Sequence, residues 1–172
     1  MKRSPAEWNA LDVDGFTALL GGVYEHSPWI ARAVATLRPL PTLTDLKTAL
    51  RSVVDTAPAD ARLTLIRAHP DLAGRLAQLG QVTAESRREQ AAAGLDALSP
   101  EDLRRMEEGN VAYRAKFGFP FIICARRHSR DAILNAMSQR LLNDSATEEK
   151  MAIEEIHHIA ELRIHDLLCQ EN

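Results

Sequence analysis

A histidine at a predicted corner between two helices is the strongest candidate for chemistry in this sequence. His69 follows the apolar run Leu63-Thr64-Leu65-Ile66 and directly precedes Pro70, and proline disfavours helical backbone at the residue before it. The helix through Leu65 should therefore end near His69. Because the unperturbed pKa of histidine is about 6.5, an imidazole held at such a corner suits proton transfer near neutral pH. The structural alternative is a corner residue whose ring bonds a backbone carbonyl.

A second group of polar side chains lies on the helix predicted after Thr83. Ser86, Glu89 and Gln90 occupy positions i, i+3 and i+4, so their side chains share one helical face. A hydroxyl, a carboxylate and an amide converge there and could bind a polar ligand. A solvated polar surface would have the same pattern, so the spacing alone leaves both interpretations open.

Arg163 is the third candidate, because it lies on an apolar stripe of the last predicted helix. Ile156, Ala160 and Leu167 form that stripe. A guanidinium that faces a core is costly unless an anion or several acceptors meet it. The sequence leaves two interpretations open, a bound anionic ligand or a structural role, either pairing with a carboxylate of the chain or reaching out to solvent.

The last helix also offers an alternative, metal-binding face. His157, Glu161 and His165 follow one another at i, i+4 and i+8, and they could be zinc or iron ligands of a metal hydrolase. However, no His-Glu-x-x-His motif occurs, and the Glu-x-x-His pairs of this helix have no counterpart on a second helix, as a di-iron bundle requires. The sequence therefore predicts no metal site.

Composition and charge narrow the class of protein. A chain of 172 residues with 45% hydrophobic residues predicts one globular domain, residues 1–172. The net charge of -3 argues against nucleic-acid binding. The longest apolar stretch, Phe119 to Ala125, is too short to cross a membrane. Two cysteines and no apolar leader predict a reduced, cytoplasmic protein.

The elements that must position the candidate residues are predicted to be helices throughout. Apolar stripes with helical spacing recur from Phe16 to Leu167, and no alternating strand pattern occurs. We therefore predict an all-α fold, a single-domain compact bundle of about eight helices. Cap residues predict helix starts at Asp12 or Asp14, Ser27-Pro28, Thr83, Ser99-Pro100, Ser129 and Thr147, and Asp71 predicts a short helix through Leu72, Leu76 and Leu79 that Gly80 ends.

The one extended stretch is the apolar run from Phe119 to Ala125. It is too isolated in the sequence to form a sheet, so we predict a buried extended segment. Its backbone N–H and C=O groups then need partners, and a polar ligand could supply some of them.

Four motifs occur in an order that resembles one known family. They are His69-Pro70-Asp71-Leu72, Ser86-x-x-Glu89-Gln90, Asn110-x-x-Tyr113-x-x-Lys116-Phe117-Gly118-Phe119-Pro120-Phe121-Ile122 and the late Arg163. Together they resemble the 2-oxo-4-hydroxy-4-carboxy-5-ureidoimidazoline (OHCU) decarboxylases of the urate-to-allantoin pathway. The resemblance covers nearly the whole chain, and the Lys-Phe-Gly-Phe-Pro-Phe run is its most specific part.

The resemblance implies an activity, an assembly and a set of site residues. It implies an all-α homodimer without a cofactor that releases CO2 from OHCU to give (S)-allantoin. It also implies that His69 is catalytic and that Glu89 works with it. The substrate-binding positions that it implies are Pro70, Ser86, Arg87, Arg88, Glu89, Gln90, Phe121, Ile122, Ile123, Cys124, Ala125 and Arg163.

The chemistry of OHCU agrees with these residue types. Its carboxylate and a hydroxyl share one ring carbon beside a C=N bond, so the substrate supplies its own electron sink and needs no pyridoxal or thiamin. His69 suits removal of the hydroxyl proton, with Glu89 setting its charge and orientation. The alternative is a non-catalytic helical protein that binds a ureide or a partner protein in the same cleft.

Overall fold

The computed structural model describes residues 3–74 and 82–169, and this part of the chain is built from helices. Its helices are α1 (Pro5–Ala10), α2 (Val13–Leu20), α3 (Pro28–Ala35), α4 (Leu43–Asp55), α5 (Ala59–Arg67), α6 (Ala84–Ala92), α7 (Pro100–Phe117), α8 (Arg130–Arg140) and α9 (Ser145–Cys169). A single 3-10 turn spans Ala125–Arg127, and no strand occurs among the described residues. The prediction of an all-α fold is confirmed.

Most helix starts follow the predicted cap residues. Asp12 accepts a hydrogen bond from the Gly15 N–H at 2.7 Å and so begins α2. The side chains of Thr83, Ser99 and Ser129 begin α6, α7 and α8 by accepting from the N–H three residues further on. A side-chain oxygen satisfies an N–H that has no partner inside the helix, so these starts are set locally.

Three features of the helix ends differ from the sequence predictions. The predicted start of the last helix at Thr147 is wrong, because Asp144 accepts the Thr147 N–H at 2.9 Å and α9 begins at Ser145. Helix α1 was not predicted, although Ser4 and Glu7 form a capping box. Ser27 precedes α3 as predicted, but its hydroxyl makes no capping bond.

The helix predicted from Asp71 through Leu76 and Leu79 to Gly80 lies mostly outside the described residues. Only its first residues, up to Gly74, are described, and these form a turn.

The chain divides into two compact units. The first comprises the described residues up to Ala68 and those from His157 onward, and the second runs from His69 to Ile156. In the first unit α3 packs against α2 and α4, and the core contains the fully buried side chains of Trp8, Phe16, Leu20, Ile30, Leu46, Leu50, Leu65 and Ile66.

His157 is a buried histidine of the first unit. Its Nε2 lies 2.9 Å from an Asp55 carboxylate oxygen, and its Nδ1 lies 3.0 Å from the Tyr24 hydroxyl. Both ring nitrogens therefore already have protein partners. Burial is the main cause that raises the pKa of the Tyr24 hydroxyl well above its ordinary value, and the charge of Asp55 adds to it.

The second unit is built around α7, which packs against α8. Its core contains Met106, Tyr113, Phe121 and Ile133. A Cβ atom at Gly109 would lie 2.1 Å from the Met137 sulfur, so glycine allows α8 to approach α7 closely here. Gly118 ends α7 with a φ of 74°, a backbone conformation that glycine adopts without strain.

Within the described ranges, no helix combines the length and apolar character that crossing a membrane would require.

Candidate functional site

His69 lies at a helix end, as the sequence predicts. Helix α5 ends at Arg67 with Ala68 as its C-cap, and His69 follows as a buried residue directly before the half-buried Pro70. The proline ring and the end of the helix restrict the backbone on both sides of the imidazole. The histidine is therefore held at a fixed position at the start of the second unit.

Helices α6 and α7 hold the segment that follows His69. The Gln90 side-chain carbonyl accepts a hydrogen bond from the Ala73 N–H at 2.9 Å. The Asn110 amide donates to the Leu72 carbonyl at 3.0 Å. Two side chains from different helices thus fix the backbone shortly after the histidine.

Helix α6 presents the predicted polar face inward. Ser86 and Gln90 are buried, Glu89 is half-buried, and Arg87 and Arg88 are exposed. This division follows from the helical period. Ser86, Glu89 and Gln90 share one side of the helix, whereas the two arginines that lie between them in the sequence fall on the other side. The Arg88 guanidinium lies 3.2 Å from the Glu85 carboxylate on the same outer surface.

The segment from Phe121 to Ala125 is buried and has no regular secondary structure before the 3-10 turn, as predicted. Arg140 donates to the Ile122 carbonyl at 2.7 Å, and the Cys124 N–H donates to the Glu155 carboxylate at 2.7 Å. The backbone N–H and C=O of Ile123 have no hydrogen-bond partner in the described part of the chain. These two groups are suited to bind a polar ligand, because buried backbone groups are rarely left unpaired.

The charge of Glu89 acts on this segment, because it influences the pKa of the Cys124 thiol. Burial is the largest cause that raises the pKa of the Cys124 thiol, to about 11. The negative charges of Glu155 and Glu89 raise it further, whereas Arg127 and Arg126 oppose them. Helix α6 also packs against the Ala125–Arg127 turn. The second unit thus brings α6 together with both the chain after His69 and the extended segment.

A buried ion pair that the sequence analysis missed supports the extended segment. Arg140 and Glu148 form this pair, and the Tyr113 hydroxyl donates to the same carboxylate. The Arg140 guanidinium also lies over the Phe121 ring, 4.7 Å from its centroid. The sequence does contain a signal for the burial of Arg140. Arg140 continues the apolar stripe of Ile133 and Met137, just as Arg163 continues the stripe of its own helix.

Arg163 lies in the first unit, and its partner is a carboxylate. Its Nη1 is 2.8 Å from a Glu25 oxygen, and both side chains are buried, with 7% and 1% exposed. The same nitrogen is 3.4 Å from the Gly22 carbonyl. The structural interpretation therefore accounts for the inward position of Arg163, and a contact with substrate stays a prediction.

The residues of the alternative metal face have other partners. His157 bonds Tyr24 and Asp55, and Glu161 lies 3.3 Å from the Lys47 ammonium. His165 is exposed, with its Nδ1 4.0 Å from the Asp166 carboxylate. In residues 3–74 and 82–169, no three side chains of His, Cys, Asp or Glu converge on a position for a metal ion.

Comparison with known proteins gives one family. The OHCU decarboxylase family matches residues 9–165. A 2-oxo-4-hydroxy-4-carboxy-5-ureidoimidazoline decarboxylase of Amia calva is 41% identical over 160 residues, which is 93% of this chain and 91% of that protein. The enzyme of the same name from Haloferax volcanii is 39% identical, over 95% of both chains.

Solved structures agree with the sequence comparison. A crystal structure of OHCU decarboxylase in the presence of (S)-allantoin superposes with a TM-score of 0.69 and 27% identity, covering 91% of this chain and 99% of the other. A crystal structure of (S)-allantoin synthase gives a TM-score of 0.78 with 26% identity, covering 96% of this chain and 54% of the other. The chain therefore belongs to the OHCU decarboxylase family.

Proposed function

We propose that this chain converts OHCU to (S)-allantoin and CO2 in urate degradation, with His69 and Glu89 as its catalytic residues. The observation that carries the proposal is the family match over residues 9–165, which includes every candidate site residue. The geometry supports it, since the corner after His69, the inner face of α6 and the extended segment are connected within one unit.

The reaction needs only proton transfers from the protein. When the bond to the carboxylate breaks, its electron pair forms a C=C bond between the ring carbons, the electrons of C=N move to nitrogen, and nitrogen gains a proton. The product of this step is an enol. Loss of the hydroxyl proton and delivery of a proton to the neighbouring carbon then give allantoin. A positioned acid–base group contributes about 10²–10⁴ in rate to such transfers.

Each part of the site has a proposed role in these steps. His69 removes the hydroxyl proton, and Glu89 sets the charge and orientation of its ring. The inward side chains Ser86 and Gln90 and the backbone of Ile123 bind the ring and the ureide. Delivery of the second proton to one face of the ring then makes a single enantiomer of allantoin.

The proposal is tested by following freshly prepared OHCU with the purified chain. We expect rapid release of CO2 and a circular dichroism signal of (S)-allantoin. A ureide-binding protein without activity would bind allantoin but leave the spontaneous rate unchanged, and its product would be racemic. That result would exclude the enzyme and favour the non-catalytic alternative.

Activity should be independent of added metal. The substrate provides the electron sink, and the ring nitrogens of His157 are bonded by Tyr24 and Asp55. We therefore expect unchanged turnover after exhaustive chelation, measured by CO2 release with and without added zinc or iron. Loss of activity that either metal restores would contradict this prediction and support the face of His157, Glu161 and His165.

Arg163 is proposed as a substrate-binding residue on the family resemblance. Arg163→Lys keeps the positive charge but loses the planar fork of donors. We expect a higher KM or a lower kcat with the helical circular dichroism spectrum retained. Unchanged steady-state kinetics would restrict Arg163 to its ion pair with Glu25.

We also propose that residues 1–172 act as one cytoplasmic domain and assemble as a homodimer. The family match spans both compact units, which supports a single functional domain. Sedimentation equilibrium of the full chain tests the dimer, since a monomer at all concentrations would exclude it.

A further inference from the structure

We propose that Asn110 is a positioning residue that, together with the substrate-binding side chain of Gln90, clamps one peptide group and thereby sets where His69 stands relative to Glu89. The inference rests on the proposed function, because it assigns a role to a residue that acts through the two catalytic ones. Asn110 belongs to the motif that carries the family resemblance, and its side chain contacts the backbone of the segment that follows His69.

The two amides hold both polar groups of the same peptide. Gln90 accepts from the Ala73 N–H at 2.9 Å, and Asn110 donates to the Leu72 carbonyl at 3.0 Å. That N–H and that C=O belong to the peptide bond that joins Leu72 to Ala73. Because the peptide group is planar, fixing both of its polar ends fixes the orientation of the whole plane.

The backbone at Ala73 has an unusual conformation that depends on the two hydrogen bonds to the Leu72–Ala73 peptide. Ala73 has a φ of 47°, in the left-handed region that an alanine rarely adopts because its Cβ approaches the backbone. Residues in this region persist where surrounding contacts determine them. Only three residues lie between His69 and Ala73, and one of them, Pro70, makes that short connection stiff. A change in the Leu72–Ala73 plane would therefore move the histidine.

The clamp connects the histidine to the helix of the glutamate. Gln90 directly follows Glu89 on α6, so the bond from Gln90 to Ala73 ties α6 to the corner. Helix α7 provides the other side, since Arg114 lies one turn after Asn110 and its Nε is 2.9 Å from the Asp71 carboxylate. Three contacts thus position the segment Asp71–Ala73 against the two helices.

Stability alone does not account for the two amides. The Gln90 side-chain NH2 and the Asn110 side-chain carbonyl are buried with no hydrogen-bond partner in the described residues. Leaving a buried polar group without a partner costs more stability than one ordinary hydrogen bond contributes. Each amide therefore gains little for the fold. The bond to the Leu72 carbonyl explains the place of Asn110 in the core, and the NH2 group of Gln90 remains for the substrate.

The test replaces Asn110 by leucine, which keeps a similar volume and removes the amide. We expect kcat for OHCU to fall by about 10- to 100-fold, since a displacement of about 1 Å at a catalytic group can have such an effect. KM should change less than kcat, and the pH profile of kcat should shift because His69 and Glu89 are no longer held in register.

Asn9→Leu is the matched control. Asn9 is an asparagine of the first unit that also holds loop backbone with its amide, donating to the Leu40 carbonyl and accepting from the Leu40 N–H, both at 2.9 Å. Its loss should lower the melting temperature but leave kcat and the pH profile at their wild-type values. Equal losses of kcat in both variants would show a general effect of destabilisation and overturn the proposal.

A second variant keeps the test decisive if Asn110→Leu fails to fold. Asn110→Asp is nearly isosteric, and its neutral acid can donate to the Leu72 carbonyl whereas its carboxylate cannot. The ratio of variant to wild-type kcat should therefore fall as the pH rises. A ratio near one at every pH would overturn the proposal.

Two reference reactions separate the inference from the proposed function. Wild-type chain that fails to convert OHCU would overturn the function itself. If the wild type is active and His69→Asn is inactive, but Asn110→Leu keeps the wild-type kcat and pH profile, only the positioning role is wrong.

Discussion

His69→Asn should remove nearly all catalysis and leave the fold intact. Asparagine retains the ability to form a hydrogen bond at the end of α5, but it cannot take up a proton near neutral pH. The expected loss of kcat is about 10²–10⁴-fold, the usual contribution of a positioned general acid–base group. Initial rates of CO2 release from fresh OHCU measure the loss, and far-UV circular dichroism checks the fold.

The effect of Glu89 should not add to that of His69. Glu89→Gln keeps the size of the side chain and removes the charge that would orient and polarise the imidazole, so it should also be severe. The double variant should be little slower than His69→Asn alone, because groups that act as one unit are not additive. Fully multiplicative losses would show that the two residues act in separate steps.

The handedness of the product gives a second measurement on the same variants. Spontaneous decay of OHCU gives racemic allantoin, so residual product from His69→Asn should lose its circular dichroism signal. Suppose instead that His69→Asn still made one enantiomer at nearly the wild-type rate. The histidine would then be only a corner residue, and the catalytic roles proposed for it and for Glu89 would be wrong.

Glu148→Leu should strongly destabilise the protein. Glu148 is completely buried and receives hydrogen bonds from Arg140, Tyr113 and Asn143. Removing one partner of a buried ion pair leaves the other charge without compensation, which costs about 3–5 kcal/mol. Urea unfolding followed by circular dichroism should show the loss in the free energy of unfolding.

An exposed ion pair of the same unit provides the control. Arg104 and Glu108 lie 2.8 Å apart with 63% and 62% of their side chains exposed. Glu108→Gln should change the free energy of unfolding by less than about 1 kcal/mol, as is usual for pairs in water. If Glu148→Leu changed stability no more than Glu108→Gln, the buried pair would be unimportant for the fold.

The same pair should influence the site through Ile122. Arg140 donates to the Ile122 carbonyl and also bonds Glu148, so the ion pair holds the extended segment in place. Replacing both Arg140 and Glu148 by apolar residues removes the unpaired charge and should restore part of the stability. Substrate binding should remain weaker in that double variant, because the Ile122 carbonyl still lacks its donor.

Local sequence patterns determined the helices, because the interactions that start a helix and orient its apolar face join residues within about one turn. A cap such as Asp12 bonds an N–H three residues away, and an apolar stripe repeats every three or four residues. The polar face of α6 follows from the same period, but the spacing left open whether that face is solvated, and the structure shows Ser86 and Gln90 buried there. The resemblance carried by the motifs also led to the correct family.

Only the tertiary structure decided how the polar groups pair, because their partners lie outside the helix that carries them. The stripe positions of Arg163 and Arg140 indicate that both face a core, but nothing local to them selects Glu25 or Glu148 as the partner. The same holds for the peptide between Leu72 and Ala73. Its two holding side chains come from helices 17 and 38 residues further along the chain. Long-range packing brings these groups together, and no spacing in the sequence records it.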